Sequence, residues 1–302
     1  MDEPIAVTFD RGGNPGDLGR IDARTYDFHL RPSYMTLPAL PESFYWDRSP
    51  CGLVLKCRPL DAVARHLFTT RDLQLSSAAA WGQVGEALGG VQVVTLNQVH
   101  GRDVVSIMRD SPPLSERSGD ALVSDDPRVA VAVRAADCVP LLLADPTSGA
   151  VAAVHAGWRG TAAGASVAAV DVLTREFGAK PDDLIVAIGP SIGACCYEVG
   201  SELVDAFAAA GHARHLIDRW FIASPPPRGR VRPILTGVER PTLRLDVAGA
   251  NRDQLLLAGV RDAHIHVSGL CTAMHLEILT SYRVEKERAG RLAGAIVPWA
   301  RV

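Results

Sequence analysis

Three segments of the chain carry side chains that ordinary packing does not require. Leu96-Asn97-Gln98-Val99-His100-Gly101 puts two carboxamides and an imidazole at the end of an apolar run. Ala136-Asp137-Cys138-Val139-Pro140 puts a thiol where another begins. Val154-His155-Ala156-Gly157-Trp158-Arg159-Gly160 ends a third run on a histidine, then turns through glycines, Trp and Arg into a helix. Strand ends and strand-to-helix turns are where α/β proteins place ligands, and a helix N-terminus favours an anion. His100, Cys138 and His155 are therefore a candidate metal or nucleophile set. Their separations of 38 and 17 residues match no local metal motif. On spacing alone the usual readings are a hydrogen-bonded structural imidazole and a buried thiol. Arg159 can equally be a surface cation stacked on Trp158, and Gly157 and Gly160 can simply permit a tight turn.

The elements that must position these residues are short. β-Branched runs at Val91–Leu96, Val129–Val133, Val139–Ala144, Val151–His155, Leu184–Ile188 and His264–Val267 have strand length and turn residues at their ends. The steps of three and four among Val167, Val170, Leu173 and Phe177 predict a helix over Thr161–Phe177, stopped by Gly178 and Pro181. Ser201 is placed to cap a helix running to Gly211, and Asp246 one running to Gly259. Ile217–Thr242, with three consecutive prolines and several arginines, reads as a loop. Strands that are partly hairpin-like and partly separated by helices predict an α+β protein with a mixed sheet. Residues 1–52 read as a Pro-rich, irregular N-terminal arm packed on the body or on a neighbouring subunit, and 53–302 as a single domain. Neither a dinucleotide-binding glycine fingerprint nor a P-loop occurs.

Composition narrows the class further. With 302 residues, 47% hydrophobic and 22% charged, the chain is globular. A net charge of −3 gives no nucleic-acid footprint. The longest stretch without Asp, Glu, Lys or Arg, Ala87–Gly101, is too short to span a bilayer. The acidic start Met1-Asp2-Glu3-Pro4 lacks a secretory signal's apolar run. A cytoplasmic protein acting on a small molecule, with no membrane or nucleic-acid partner, is the expectation. Six cysteines without a C-x-x-C pair suit reduced thiols rather than disulfides or a zinc finger. Adjacent Cys195 and Cys196 read as unpaired thiols, because their Cβ atoms point apart.

Further segments extend the pattern: Phe68-Thr69-Thr70-Arg71, Gly119-Asp120-Ala121, Gly189-Pro190-Ser191-Ile192, Cys195-Cys196-Tyr197-Glu198-Val199, Asp246, Asn251, Gln254, Cys271-Thr272 and Ser281-Tyr282-Arg283. In this order, with the three segments above, they make the chain resemble the YfiH-type laccase-domain family, also labelled multicopper polyphenol oxidase. The resemblance runs from Phe68 to the C-terminus. It departs from the family pattern after Arg71 and after Arg283, at what would be a pocket rim.

The resemblance implies a four-layer α+β mixed-sheet sandwich and a purine nucleoside phosphorylase with adenosine deaminase activity. Adenosine, inosine or methylthioadenosine would be split by phosphate to free base and ribose 1-phosphate. It implies one metal, usually zinc, on His100, Cys138 and His155, a set that leaves a tetrahedral position open. Cys138, His155 and Arg159 then become catalytic candidates, and Asn97, Gln98, Arg159 and Arg283 candidates for binding nucleoside or phosphate. A true multicopper oxidase needs about ten His ligands in H-x-H clusters. The chain has nine histidines in all and one such pair, His264-Ile265-His266. A single-copper polyphenol oxidase remains an alternative. So does a cysteine hydrolase acting on an amide or ester such as a peptidoglycan precursor, with Cys138 as nucleophile and His155 as base.

Overall fold

The computed structural model describes residues 37–108, 117–223 and 243–300. In chain order its strands are β1 (Phe44–Ser49), β2 (Gly52–Cys57), β3 (Ala64–Thr69), β4 (Gln92–Val94), β5 (Val104–Ile107), β6 (Ala121–Ser124), β7 (Val129–Ala135), β8 (Val139–Ala144), β9 (Val151–Ala156), β10 (Ile185–Ile188), β11 (Glu198–Val199), β12 (Phe221–Ala223), β13 (Leu243–Leu245), β14 (Ile265–Val267) and β15 (Leu292–Pro298). The helices are α1 (Arg58–Asp61), α2 (Ala78–Ala87), α3 (Trp158–Ala163), α4 (Ala165–Phe177), α5 (Ser201–Ala209), α6 (Arg214–Trp220), α7 (Val247–Leu257) and α8 (Tyr282–Glu285).

Two six-stranded mixed sheets dominate. One runs β1-β2-β3-β15-β7-β4 and the other β14-β10-β8-β9-β6-β5. The pairs β4–β7, β5–β6 and β10–β14 are parallel, and the rest antiparallel. A small third sheet, β11-β13-β12, lies alongside. Strand pleat assigns each residue to a layer. On β8, Leu141 and Leu143 pack with α4 residues Ala169, Val170 and Leu173. Leu142, between them, is also fully buried but points the other way, toward the first sheet. At β15 the two sheets approach so closely that a Cβ on Gly294 would lie 3.1 Å from Pro140 Cβ and 3.2 Å from Phe68. The outer face of the first sheet is covered by α2 through Ala80 and Val84. Helix, sheet, sheet and helix make the expected four layers. With both faces covered, β8 and β9 are buried at every position, so they read as unbroken apolar runs rather than alternating ones.

Three local expectations need correction. The helix predicted over Thr161–Phe177 starts earlier, at Trp158, and is broken at Gly164, whose φ of 79° is left-handed. Glycine tolerates that conformation and so divides one amphipathic run into α3 and α4. Ser201 does not cap α5: Gly200 occupies that position and no side chain bonds the free amides. Ile217–Ala223 is not loop but the end of α6 and strand β12, because Trp220 and Phe221 are buried against Phe207. The remainder of that segment, 224–242, lies outside the described residues, as do 1–36 of the arm. Phe44–Ser49, counted in the arm, forms edge strand β1 paired with β2. Asp246 caps α7 as expected, accepting from the Gly249 amide at 2.9 Å.

Candidate functional site

Strand register, rather than sequence spacing, assembles the site. β8 and β9 pair antiparallel with Val139 opposite Ala156, which brings Cys138, just before β8, across from Gly157, just after β9. β6 pairs with β9 on the other side, with Ala121 opposite Val154, so Asp120 falls beside His155. The His155 amide donates to the Asp120 carbonyl at 2.7 Å. One end of the sheet thus gathers a thiol, an imidazole and a carboxylate from three neighbouring strands.

Asp120, fully buried, organises the rest. Its Oδ1 accepts from His155 Nδ1 at 2.8 Å and from the His100 amide at 2.9 Å. Its Oδ2 accepts from the amides of Gly101 at 2.6 Å and Val99 at 3.3 Å. Burial alone would raise this carboxyl's pKa, but the His155 ring and the Gly101 and His100 amides hold it below the usual carboxylate range. An ionised carboxylate only accepts, so His155 carries its proton on Nδ1 and presents Nε2 to the cluster. The same carboxylate clamps the loop that delivers His100, whose φ of 60° is left-handed. A non-glycine residue holds that conformation at a cost of order 1–3 kcal/mol when its surroundings over-determine it.

The ligand atoms of His100, Cys138 and His155 lie within 4.8 Å of one another. The two rings stand edge to face, with centroids 4.8 Å apart. Burial would raise the Cys138 thiol's pKa, yet hydrogen bonds from His100 and His155 bring it down to about 7. Burial likewise disfavours a charged His155, but Asp120 and Cys138 raise its pKa to about 9. Two imidazoles and a thiolate, one imidazole braced by a carboxylate, fit a catalytic-type metal site with an open position. His100 is exposed, Cys138 half-buried and His155 buried, so the set opens to one side.

Gly157 makes room for it. A Cβ there would lie 2.8 Å from Cys138 Sγ and 3.1 Å from the His100 ring. Its φ of −71° and ψ of 176° suit any residue, so Gly157→Ala strains no backbone. We expect that variant to fold with near-wild-type circular dichroism and melting but to bind metal at least ~10-fold more weakly, because both ligands must move. Wild-type affinity, measured by chelator competition, would show that Gly157 is not needed for ligand approach.

Beside the cluster is a cavity of about 370 Å³, lined by Cys138, Trp158, Ile192, Tyr197, Tyr282 and Arg283 among others. Asp137 ties its walls together. Its φ is 84°, its Oδ1 accepts from Thr272 Oγ1 at 2.5 Å, and its Oδ2 from the Arg283 amide at 2.6 Å. The Tyr197 phenol is pushed up to about 12 by burial first and by the nearby Cys138 thiolate second, with Arg283 and Arg159 opposing. Behind Arg283, Glu285 accepts from Thr280 Oγ1, the Ser281 amide and Arg71.

The structure treats the expected binding residues unequally. Arg283 lines the cavity, with its guanidinium 5.1 Å from the Tyr197 ring and bonded to the Glu198 carbonyl at 2.9 Å. Arg159 is exposed in the first turn of α3, stacked 4.2 Å over Trp158. α3 is only six residues long, so it adds little dipole to that arginine. Asn97 bonds Ser118, and neither it nor Gln98 is among the residues lining the cavity. Gln98 exchanges two 2.8 Å bonds with the backbone of Arg134, mimicking a strand partner. Asn251 and Gln254 are buried and bond Thr161, pinning α3 to α7 beneath the Trp158 turn. Asp120, Asp137 and Tyr197 were not among the expected site residues. The signals for Asp120 are its place in the Gly119-Asp120-Ala121 segment of the resemblance and a carboxylate directly before an apolar run.

The family model described as multi-copper polyphenol oxidoreductase laccase matches residues 67–298. A purine nucleoside phosphorylase from Deinococcus radiodurans is 38% identical over 201 residues, 67% of this chain and 68% of that one. An adenosine deaminase, RL5, from an unknown prokaryotic organism is 37% identical over 153 residues, 51% of this chain and 52% of that one. The crystal structure of YlmD from Geobacillus stearothermophilus matches with a TM-score of 0.69 at 29% identity, covering 86% of this chain and all of that one.

Proposed function

The chain belongs to the multi-copper polyphenol oxidoreductase laccase family, and from that premise we propose that it is a zinc-dependent purine nucleoside enzyme. It would split adenosine, inosine or methylthioadenosine with phosphate to the free base and ribose 1-phosphate, and also deaminate adenosine. The observation that carries this reading is the His100, Cys138 and His155 set opening beside an aromatic-walled cavity. Relatives named for both activities support it. At about 370 Å³ the cavity lies at the lower end of the ~300–1,000 Å³ range of small-ligand pockets.

His100, Cys138 and His155 would hold the ion, and when bound it would supply Lewis acidity and lower the pKa of water toward about 7. The protein's own groups do the rest. Asp120 keeps the His155 Nδ1 proton away from the cluster. Trp158 and Tyr197 offer apolar faces to a purine, and Arg283 reaches the cavity as a guanidinium suited to bidentate phosphate. In phosphorolysis a phosphate oxygen bonds to the ribose C1′ while the C1′–N bond breaks and its electron pair leaves on the base. In deamination water adds at C6 and ammonia departs.

Arg159 remains a proposed phosphate ligand through its guanidinium alone. Arg159→Ala is expected to weaken phosphorolysis about 10-fold or more while deamination changes little, since only the first reaction uses phosphate. Equal losses in the two assays would instead make Arg159 a support for Trp158.

A cysteine hydrolase is the second reading, favoured by the Cys138 thiol lying within hydrogen-bonding reach of two imidazoles. The test that separates the two combines elemental analysis with chromatography of adenosine products, with and without phosphate. Purified protein should hold about one zinc per chain. It should yield adenine only with phosphate, and resist iodoacetamide at Cys138 until chelated. If chelated protein keeps its activity and loses it only on alkylation of Cys138, the zinc reading is wrong. Activity carried by copper with oxygen consumption on phenols would favour the polyphenol oxidase instead.

A further inference from the structure

Outside this site the structure brings a second set of metal-ligating atoms together. The sulfurs of Cys195, Cys196 and Cys271 all lie within 4.8 Å of one another. We propose that they form a separate binding site for a soft, thiophilic d¹⁰ cation of the Cu(I) type. The set shares no residue with His100, Cys138 and His155.

The sulfurs converge because two backbone segments are locked side by side. Cys195 and Cys196 ride on a turn in which the Cys196 and Tyr197 amides both bond the Gly193 carbonyl, at 2.9 and 3.0 Å. Cys271 comes from 76 residues further on and is held by a bridge to Ser191. The Ser191 amide bonds the Leu270 carbonyl at 3.2 Å, and the Thr272 amide bonds the Ser191 carbonyl at 3.0 Å. Gly193 is the contact point. A Cβ there would lie 3.2 Å from Cys195 Sγ and 3.4 Å from Cys271 Cβ, so the glycine sits in direct contact with both cysteines and a side chain would press on Cys195 Sγ. The Gly193 amide donates to Cys271 Sγ at 3.2 Å, which fixes where that sulfur points.

The chemistry of the donors selects the ion. Among the described residues no imidazole or carboxylate joins the group, and an all-sulfur set is what soft cations prefer over the harder divalent ions. Metal–sulfur bonds of about 2.3 Å in a trigonal arrangement place the sulfurs about 4 Å apart, within the spread seen here. All six cysteines are free, and the vicinal pair is poorly shaped for a disulfide. A Cys195–Cys271 disulfide would leave Cys196 unused, whereas a bound cation uses all three. Cys195 is exposed, Cys196 half-buried and Cys271 buried, so an ion has access from the surface and a sheltered seat.

The experiment is anaerobic titration of reduced protein with Cu(I), delivered as its acetonitrile complex in competition with bathocuproine disulfonate. The Cys138→Ala background removes the sulfur of the other site. One Cu(I) per chain should bind in that background, with an ultraviolet thiolate-to-metal band. Cys195→Ser and Cys196→Ser should each weaken it by at least 10-fold. Both alter accessible side chains, and circular dichroism checks that each variant folds. Stoichiometric Cu(I) uptake unchanged by either serine variant would overturn the proposal. So would no uptake at all in the Cys138→Ala background, which would leave the three thiols as packing.

Discussion

Cys138→Ala is expected to strip the protein of essentially all its metal and abolish adenosine turnover, with little change in the fold. Cys138 is the one thiol in the set and hydrogen-bonds both imidazoles, so neither histidine can replace it. Two histidines alone leave a weak, incompletely formed site. The structural cost is small: the variant loses one sulfur from a half-buried position just before β8. A deletion of that size costs about 1 kcal/mol, or roughly 2–4 °C in melting temperature for a chain of this length. The comparison must be made between metal-free proteins, because bound metal itself stabilises the folded state. Full zinc content in the variant would falsify the ligand assignment. Metal loss with turnover preserved would remove the metal from the reaction.

How much of this was legible in the sequence depends on how local each signal is. β8, β9 and most of β7 and β10 are recognisable because burial on both faces makes them unbroken apolar runs. β1 escapes notice because it is an edge strand with Asp47 and Arg48 exposed, so its composition resembles a loop. β15 closes the first sheet between β3 and β7, a pairing more than 150 residues distant that no local pattern reveals. The break at Gly164 is invisible to a periodicity that continues past it on the same face. The site follows the same logic. Its three candidate ligands are conspicuous as residue types, but only the β6–β9–β8 register shows that they meet. Gln98 stands beside His100 in sequence and looked equally chemical, yet its carboxamide is spent on the Arg134 backbone. Asp120 is given no role by the sequence because nothing local shows that four donors converge on it.

That convergence makes Asp120→Asn the more revealing change, since it leaves all three ligand side chains in place. An amide keeps one acceptor oxygen and replaces the other with a donor. If its oxygen takes the Oδ1 position, the amide nitrogen faces the amides of Val99 and Gly101, and two part-buried donors lose their acceptor. Each such loss costs about 1–3 kcal/mol, so the loop would move and carry His100 away. If the oxygen takes the Oδ2 position, the nitrogen faces His155 Nδ1 and the His100 amide instead. His155 must then accept at Nδ1 and carry its proton on Nε2, which blocks its lone pair toward the cluster. Either orientation disables one histidine, so metal affinity should fall about 10–100-fold. The melting temperature of the metal-free protein should fall as well. Chelator competition reads the first effect and calorimetry of metal-free protein the second. Wild-type affinity would mean that His100 and His155 hold their orientation without Asp120. A fall in affinity at unchanged metal-free stability would mean that the lost acceptors are replaced by water, leaving tautomer inversion at His155 as the surviving mechanism.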